Sequence, residues 1–345
     1  MAFEEKKYNT EIVKVDPLNP EKEIIKKAAK LIVLGEVIGF PTETVYGLGA
    51  DATNSHAINK IFEAKNRPQD NPVIVHVHSI KEAEKSVTEF SELAERLAKA
   101  FWPGPLTMVL PRSDYISPEV SKGLSTVAIR MPAHSVALEL IKNSGVPIAA
   151  PSANLSGKPS PTKAIHVFKD LQGRIPLILD GGSTLVGVES TVVSLINNPP
   201  VLLRPGGVTI EDLKKFIPNL IVPENFSSEK PLSPGQKYRH YSPETKLVLV
   251  INGSTADPKK IDSIGRRFGG QPVVLCSNPD HRHDLHVIHL GNNPKEIQAN
   301  FFASLRILDD ASFDVGILEG IEPVGPGFAV MNRAKKAAHK IIVLD

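Results

Sequence analysis

The sequence predicts an α/β protein of two domains joined by a long, proline-rich connection. Three observations predict it. Apolar runs of strand length alternate irregularly with segments of helical period, the pattern of a twisted sheet of mixed strand direction. The chain has 345 residues, enough for roughly two domains of ordinary size. The composition also shifts over "IPNLIVPENFSSEKPLSPGQKYRHYSPET", which is rich in Pro, Ser and charge and carries no period. These boundaries give a first domain over 1–220, a linker over 221–245 and a smaller α/β domain over 246–345.

The elements follow in order. "DPLNPEKEIIKKAAKLIVLG" is a helix, with Asn19 or Asp16 as its cap, Pro20 in the first turn and Gly35 at its end. "EVIGFPTE" is a strand running into Pro41. "SHAINKIFEAKN" is a helix with Ile58, Ile61 and Phe62 on one face. "NPVIVHVHS" is a strand, and "IKEAEKSVTEFSELAERLAKAFW" is one helical stretch. "GPLTMVLPR" and "STVAIRMP" are strands, and "HSVALELIKNSG" is a helix with a glycine stop. "VPIAAPSAN", "RIPLILDGG" and "STVVSLI" are strands, and "VLLRPGGVTIEDLKKFI" is a strand, a turn and a capped helix. Beyond the linker, "KLVLVING", "PVVLCSN", "LHVIHLG" and "FDVGILEG" are strands. "NPKEIQANFFASLRILDDA" and "GFAVMNRAKKAAHK" are helices.

Composition narrows the class. A hydrophobic content of 41% and a charged content of 23% predict a packed core. A net charge of +2 excludes a polyanion-coating protein, so an anion site must be local. The single cysteine, Cys276, excludes an intrachain disulfide and a cysteine-rich zinc module and fits a reducing compartment. The start "MAFEEKKYNT" has no apolar segment of a signal peptide, and the apolar runs are too short and broken to cross a bilayer. A cytoplasmic location is expected, with rigid loops from 29 prolines.

Six polar loops leave apolar strands: "PTETVYGLGAD", "KNRPQDNP", "STVAIRMP", "APSANLSGKPSPT", "GVESTVV" and "LRPGG". Ligands of open α/β sheets bind at such places. Lys65, Arg67, Arg130 and Arg204 supply positive charge, and Thr42, Thr44, Ser152, Asn154, Ser156, Ser190 and Thr191 supply neutral donors. That is the donor set for a phosphate-bearing anion, with Arg as a planar fork and Lys as a point charge. Each loop alone fits a plain surface turn; their number and shared position carry the reading. "GLGADA" matches a dinucleotide fingerprint only formally, because it does not open a helix directly after a strand. "HRHDLHVIH" has four histidines; they are expected to face solvent at the start of a strand, with metal binding as the alternative.

Taken in order, "PTETVYGLGAD", "KNRPQDNPVIVHV", "WPGPLT", "TVAIRMP", "PSANLSG", "GVESTVV" and "LRPGG" resemble the Sua5/YrdC family, and "SPGQKYRHYSP" with the extra domain resembles its long, two-domain Sua5 branch. The resemblance spans essentially the whole chain. It implies a twisted, mixed-sheet YrdC-like domain, a long ordered linker and a smaller Rossmann-like α/β domain. It implies an L-threonylcarbamoyladenylate synthase, a nucleotidyltransferase that condenses L-threonine, bicarbonate or CO2 and ATP, with Mg2+, and releases pyrophosphate. The product serves N6-threonylcarbamoyladenosine formation at position 37 of tRNAs reading ANN codons. A separate tRNA threonylcarbamoyl transferase complex makes the transfer, so neither a membrane nor stable RNA binding is required.

The same resemblance implies the site. Lys65 and Arg67 would act at the nucleotide and threonine site, held in place by Pro68 and Pro72. Thr42, His76, Thr126 and Arg130 would bind threonine, with Arg130 clamping its carboxylate. Asn71, Ser152, Asn154, Ser160, Ser190 and Arg204 would face ATP. With no dedicated carboxylate cluster in the sequence, Mg2+ is expected to be held mainly by phosphates and water, Glu189 being one candidate helper. Tyr238, His240 and Tyr241 would close over the nucleotide as a lid. The competing readings are an RNA-binding protein using the same basic concavity, disfavoured by 6% aromatic residues, and carbamoyl transfer in metal-centre maturation, disfavoured by the single cysteine. A third makes the last domain a ligand-binding regulatory module, with the glycine turn of "GIEPVGPGFAVMNRAKKAA" before a helix as an anion site.

Overall fold

Short polar side chains that take up the first free N–H groups decide where most helices begin. In the computed structural model, which describes residues 8–66, 68, 71–226, 241–311 and 313–344, the first compact unit starts with β1 (Glu11–Lys14), α1 (Lys22–Val33), β2 (Ile38–Phe40) and β3 (Gly47–Asp51). There follow α2 (Ser55–Lys65), β4 (Ile74–His76), α3 (Ile80–Ser86), α4 (Glu92–Phe101), β5 (Leu106–Pro111), α5 (Pro118–Ser121) and β6 (Thr126–Arg130). Then come α6 (Ser135–Ser144), β7 (Ile148–Ala149), α7 (Ala164–Leu171), β8 (Leu177–Asp180), β9 (Thr191–Ser194), β10 (Val201–Arg204) and α8 (Ile210–Lys214). The second unit holds β11 (Lys246–Ile251), α9 (Pro258–Arg267), β12 (Pro272–Cys276), β13 (His286–His289), α10 (Pro294–Asp310), β14 (Val315–Glu319), α11 (Pro326–Ala337) and β15 (Lys340–Val343). Arg67, Tyr238 and His240, with most of the expected linker and lid, lie outside the described residues.

The first unit is one ten-stranded mixed sheet, ordered β1-β8-β2-β3-β7-β4-β6-β5-β9-β10. The second is a five-stranded sheet ordered β13-β12-β14-β11-β15, and every pairing in it is parallel. The units do not follow a single cut of the chain. The first comprises Met1–Ser156, Pro161–Leu185 and Glu189–Lys237, and the second takes in Gly157–Ser160 and Val186–Val188 as well as Tyr238–Asp345. No helix among the described residues is long and apolar enough to cross a membrane.

In the first unit α1 and α6 bury Ile25, Ala28, Ile32, Val136, Leu140 and Ile141 against Ile38, Phe40, Leu177 and Leu179 of the sheet. In the second, Ile261 and Ile264 of α9 pack on Val248, Val274 and Ile317. Several expectations change. The first helix starts later and is flanked by Glu21, which makes no side-chain cap; Asp16 Oδ1 instead takes up the N–H groups of Leu18 and Asn19 in the preceding turn. The long helical stretch after β4 is two helices, because Ser91 caps a new start at α4. The strands β1 and β15 and the helices α5, α7 and α9 have no counterpart in the sequence reading. Of the four histidines, His286 and His289 are exposed, but the His283 side chain is wholly buried and His281 nearly so.

"GLGAD" is a fully buried strand, not a phosphate loop. Its glycines serve packing. A Cβ at Gly49 would stand 2.7 Å from Phe40 Cε1 and 2.8 Å from Ile148 Cγ2, and one at Gly47 would stand 3.0 Å from the same ring. The Phe40 ring therefore lies across β3 and meets His76 of β4 edge-on, with ring centroids 6.2 Å apart. Strand spacing alone would keep the two backbones about 14 Å apart. Gly49→Ala is expected to cost about 1–3 kcal/mol by overpacking, read from urea unfolding, and Phe40→Leu in the same chain should restore part of it. Unchanged stability of Gly49→Ala would mean that the ring has room elsewhere.

Candidate active site

The site begins with a tight turn after β2. Thr42 Oγ1 accepts from the N–H groups of Thr44 and Val45 at 3.2 and 3.3 Å and lies 2.8 Å from Thr44 Oγ1. It also donates to Val45 O at 2.7 Å. A short hydroxyl side chain that turns back on its own backbone makes this loop rigid. Thr42, Glu43 and Thr44 are all buried.

Arg130, the last residue of β6, closes on that turn. Its Nη1 donates to Thr44 Oγ1 at 2.8 Å and its Nε to Gly104 O at 3.2 Å. Its Nη2 stands 2.6 Å from Glu43 Oε1, a buried ion pair rather than an aligned hydrogen bond. His76 is the register partner of Arg130 across β4 and β6. Burial first, and the Arg130 charge second, pull the His76 imidazole down to about 3, so it stays neutral at pH 7. Its Nδ1 is buried without a hydrogen-bond partner among the described residues. His134 also faces this corner; burial pulls its imidazole down while Glu43 opposes the shift.

Two further groups connect to this one. Lys65 ends α2 and is buried, and its ammonium donates to the backbone oxygens of Ser152 and Asn154. Within that loop Ser152 Oγ donates to Asn154 Oδ1 at 2.6 Å. Ser152 bridges to Gly47, which lies under the Phe40 ring beside His76. On the other side Gly104 leads to Pro105, whose carbonyl accepts from Thr191 N at 2.9 Å. There Arg204 sets Nε and Nη2 on Ser190 O at 3.1 and 2.9 Å, and Ser190 Oγ lies 2.7 Å from Thr107 Oγ1. Gly206 allows this closure, since a Cβ there would stand 2.3 Å from Glu189 O. A continuous chain of contacts thus links Lys65, Ser152, Asn154, His76, Arg130, Thr42, Ser190 and Arg204.

Not every expected residue joins it. Thr126 begins β6, four residues and about 13 Å along the strand from Arg130, and pairs with Pro111. That register gives it no part in the Arg130 group. Ser160 is buried but belongs to the second compact unit, as does Tyr241, whose ring lies against Phe302 and Arg333. Asn71 is buried just before β4, and Glu189 sends its backbone oxygen to Gly207 N. Sequence reasoning missed Glu43, Thr107 and His134. All three lie in or beside the quoted motifs, but their partners are distant in the chain, so no local spacing pointed to them.

The cations are already engaged. Lys65 and Arg204 hold backbone oxygens, and Arg130 holds Glu43, Thr44 and Gly104. Held positive charge among buried hydroxyls and amides is a donor set of the kind that stabilises anions. Comparison with known proteins carries this further. A family model for Sua5, YciO and YrdC proteins, described as "Telomere recombination", matches residues 30–206. A second, described as "Threonylcarbamoyl-AMP synthase, C-terminal domain", matches residues 208–339. The threonylcarbamoyl-AMP synthase of Pyrococcus abyssi is 48% identical over 319 residues, 91% of this chain and 94% of that protein. That of Bacillus subtilis is 46% identical over 333 residues, 94% of this chain and 95% of that protein. The crystal structure of P. abyssi Sua5 complexed with L-threonine superposes with a TM-score of 0.92 at 45% identity, covering 97% of this chain and all of that one. The chain belongs to the Sua5/YrdC family.

The neutral His76 gives a pH signature. Its folded value of about 3 lies below the unfolded value near 6.5, so the unfolded chain takes up the proton first as pH falls. Stability present above pH 6.5 is lost progressively toward pH 3, with a slope of up to about 1.4 kcal/mol per pH unit from this group. His76→Gln should flatten the acid limb of unfolding free energy against pH by up to one proton. Equal slopes in the two proteins would show that His76 is protonated in the native state.

Proposed function

We infer that the chain is an L-threonylcarbamoyladenylate synthase. Near-full-length relatives of that name at 43–48% identity carry the reading, and the buried cationic network supports it. L-Threonine, bicarbonate or CO2 and ATP combine to threonylcarbamoyl-AMP and pyrophosphate. The threonine amine adds to CO2 and loses a proton to give a carbamate. A carbamate oxygen then bonds to the α-phosphorus as the bond to pyrophosphate breaks.

No enzyme nucleophile is needed, so the protein's task is positioning and charge neutralisation. A carboxylate, a carbamate and a triphosphate brought together repel by several kcal/mol unless cations stand among them. Arg130 offers its guanidinium to the threonine carboxylate from a fixed position, in place of part of its contact with Glu43. His76, held neutral, offers a hydrogen bond rather than a proton. Thr42 presents its hydroxyl from a rigid turn. Lys65 sets positive charge at the Ser152–Asn154 loop and Arg204 sets it at Ser190 on the other flank; with Asn71 and Arg67 these groups would receive the nucleotide. Mg2+ enters as MgATP, held mainly by phosphate oxygens and water. The mixed anhydride product is labile, so a tRNA threonylcarbamoyl transferase must consume it, in the cytoplasm where ATP and tRNA meet.

The test is pyrophosphate release by the purified chain with MgATP, L-threonine and bicarbonate. Release should require both threonine and bicarbonate, and mass spectrometry should find threonylcarbamoyl-AMP. Arg130→Lys is expected to raise KM for threonine at least about 10-fold, because the planar fork is lost. Lys65→Ala and Arg67→Ala are expected to lower kcat/KM by about 100-fold or more. Pyrophosphate release indifferent to threonine would sink the assignment.

A further inference from the structure

In an open parallel sheet, ligands gather where the connections from two neighbouring strands depart in opposite directions. The second sheet has such a point. The chain leaves β12 toward β13 on one side and leaves β14 toward β15 on the other, and β12 and β14 are neighbours. The last residue of β12 is Cys276, and the last residue of β14 is Glu319. His281 and His283 lie in the loop that follows β12, and Asp262 comes from α9.

These side chains converge. One ligand atom each from Cys276, His283 and Glu319 lie within 4.8 Å of one another. Asp262 Oδ1 meets His283 Nδ1 at 2.8 Å, while Asp262 Oδ2 accepts from Asp284 N at 2.8 Å. This leaves His283 Nε2 facing Glu319 Oε1 at 3.1 Å. Glu319 Oε2 is taken up by the N–H groups of Ser277 and Asn278 at 2.8 and 3.3 Å, so Oε1 is the oxygen turned to the histidines; His281 Nδ1 meets it at 2.6 Å. Cys276 Sγ contacts Asn278 O at 3.0 Å. The side chains of Glu319 and His283 are 0% exposed and that of Asp262 is 2% exposed. The Ser277 hydroxyl, next to these ligands in the chain, is also buried without a partner among the described residues.

Two carboxylates out of water need compensating charge. A protonated histidine between them would serve, but it would not call for a thiol at the same point. A carboxylate holding one imidazole nitrogen so that the other faces a sulfur and an oxygen is the arrangement that orients a metal-binding histidine. Nitrogen, sulfur and one carboxylate oxygen suit a borderline transition-metal ion rather than Mg2+ or Ca2+. We propose that the second domain binds one divalent transition-metal ion, with Zn2+ the best match, on Cys276, His283 and Glu319. Asp262 orients His283, and His281 holds Glu319 Oε1. Thiolate and carboxylate together neutralise the ion, which ties the loop after β12 to the end of β14. This assignment does not depend on the synthase reaction.

The full chain, stripped with chelator and checked for native circular dichroism, would be titrated with Co2+ in the absence of nucleotide. One equivalent should bind with a thiolate-to-cobalt charge-transfer band, and Zn2+ should displace it. Cys276→Ser should abolish that band, and Asp262→Asn should weaken binding about 10–100-fold. Added Zn2+ should raise Tm of the parent and not of His283→Gln. If His283→Gln does not fold, the cobalt spectrum of Cys276→Ser still decides. Absence of the band in the folded parent at saturating Co2+, or its persistence in Cys276→Ser, would overturn the proposal.

Discussion

The buried guanidinium of Arg130 is the constraint on which the first domain's site depends. A charge taken out of water is tolerated only with partners arranged around it. Here the partners come from separate parts of the chain: Thr44 and Glu43 from the turn after β2, and Gly104 from the turn before β5. One side chain therefore fixes the relation of these two turns to the end of β6. It also sets the electrostatics of its neighbour, since His76 stands beside it in register and is kept neutral by burial and by that charge.

A second constraint is steric. Phe40 can lie across β3 only because Gly47 and Gly49 have no side chains. The glycine-rich stretch looks like a phosphate-binding fingerprint in one dimension and is a packing channel in three. Gly206 makes the comparable point on the other flank, where backbone approaches backbone so closely that no Cβ fits. In both places glycine is used for proximity, which sequence spacing alone does not distinguish from ligand cradling.

The two domains treat strand ends differently. In the first, cations at strand and helix ends hold carbonyl oxygens and a carboxylate, leaving a site rich in positive charge. In the second, strand ends carry a thiol and a carboxylate joined by histidines. From the sequence the four histidines are expected to face solvent at the start of a strand. Two of them lie before β13 and turn inward, drawn by Asp262 and Glu319, which lie 21 and 36 residues from His283.

The sequence by itself determined the α/β class, most of the strands, and the polar motifs at element ends that contain Lys65, Arg130, Ser190 and Arg204. These are local properties: period, turn residues and the sequence order of the motifs. It also carried enough similarity to identify the family. The break at Ser91 is a local cap that the sequence reading passed over, whereas tertiary structure alone decided that Ser160 belongs to the second unit. It alone paired Arg130 with Glu43 and His283 with Asp262. The reason is physical. A buried charge chooses its partner by distance and desolvation, which depend on where distant segments pack, and no periodicity along the chain records that choice.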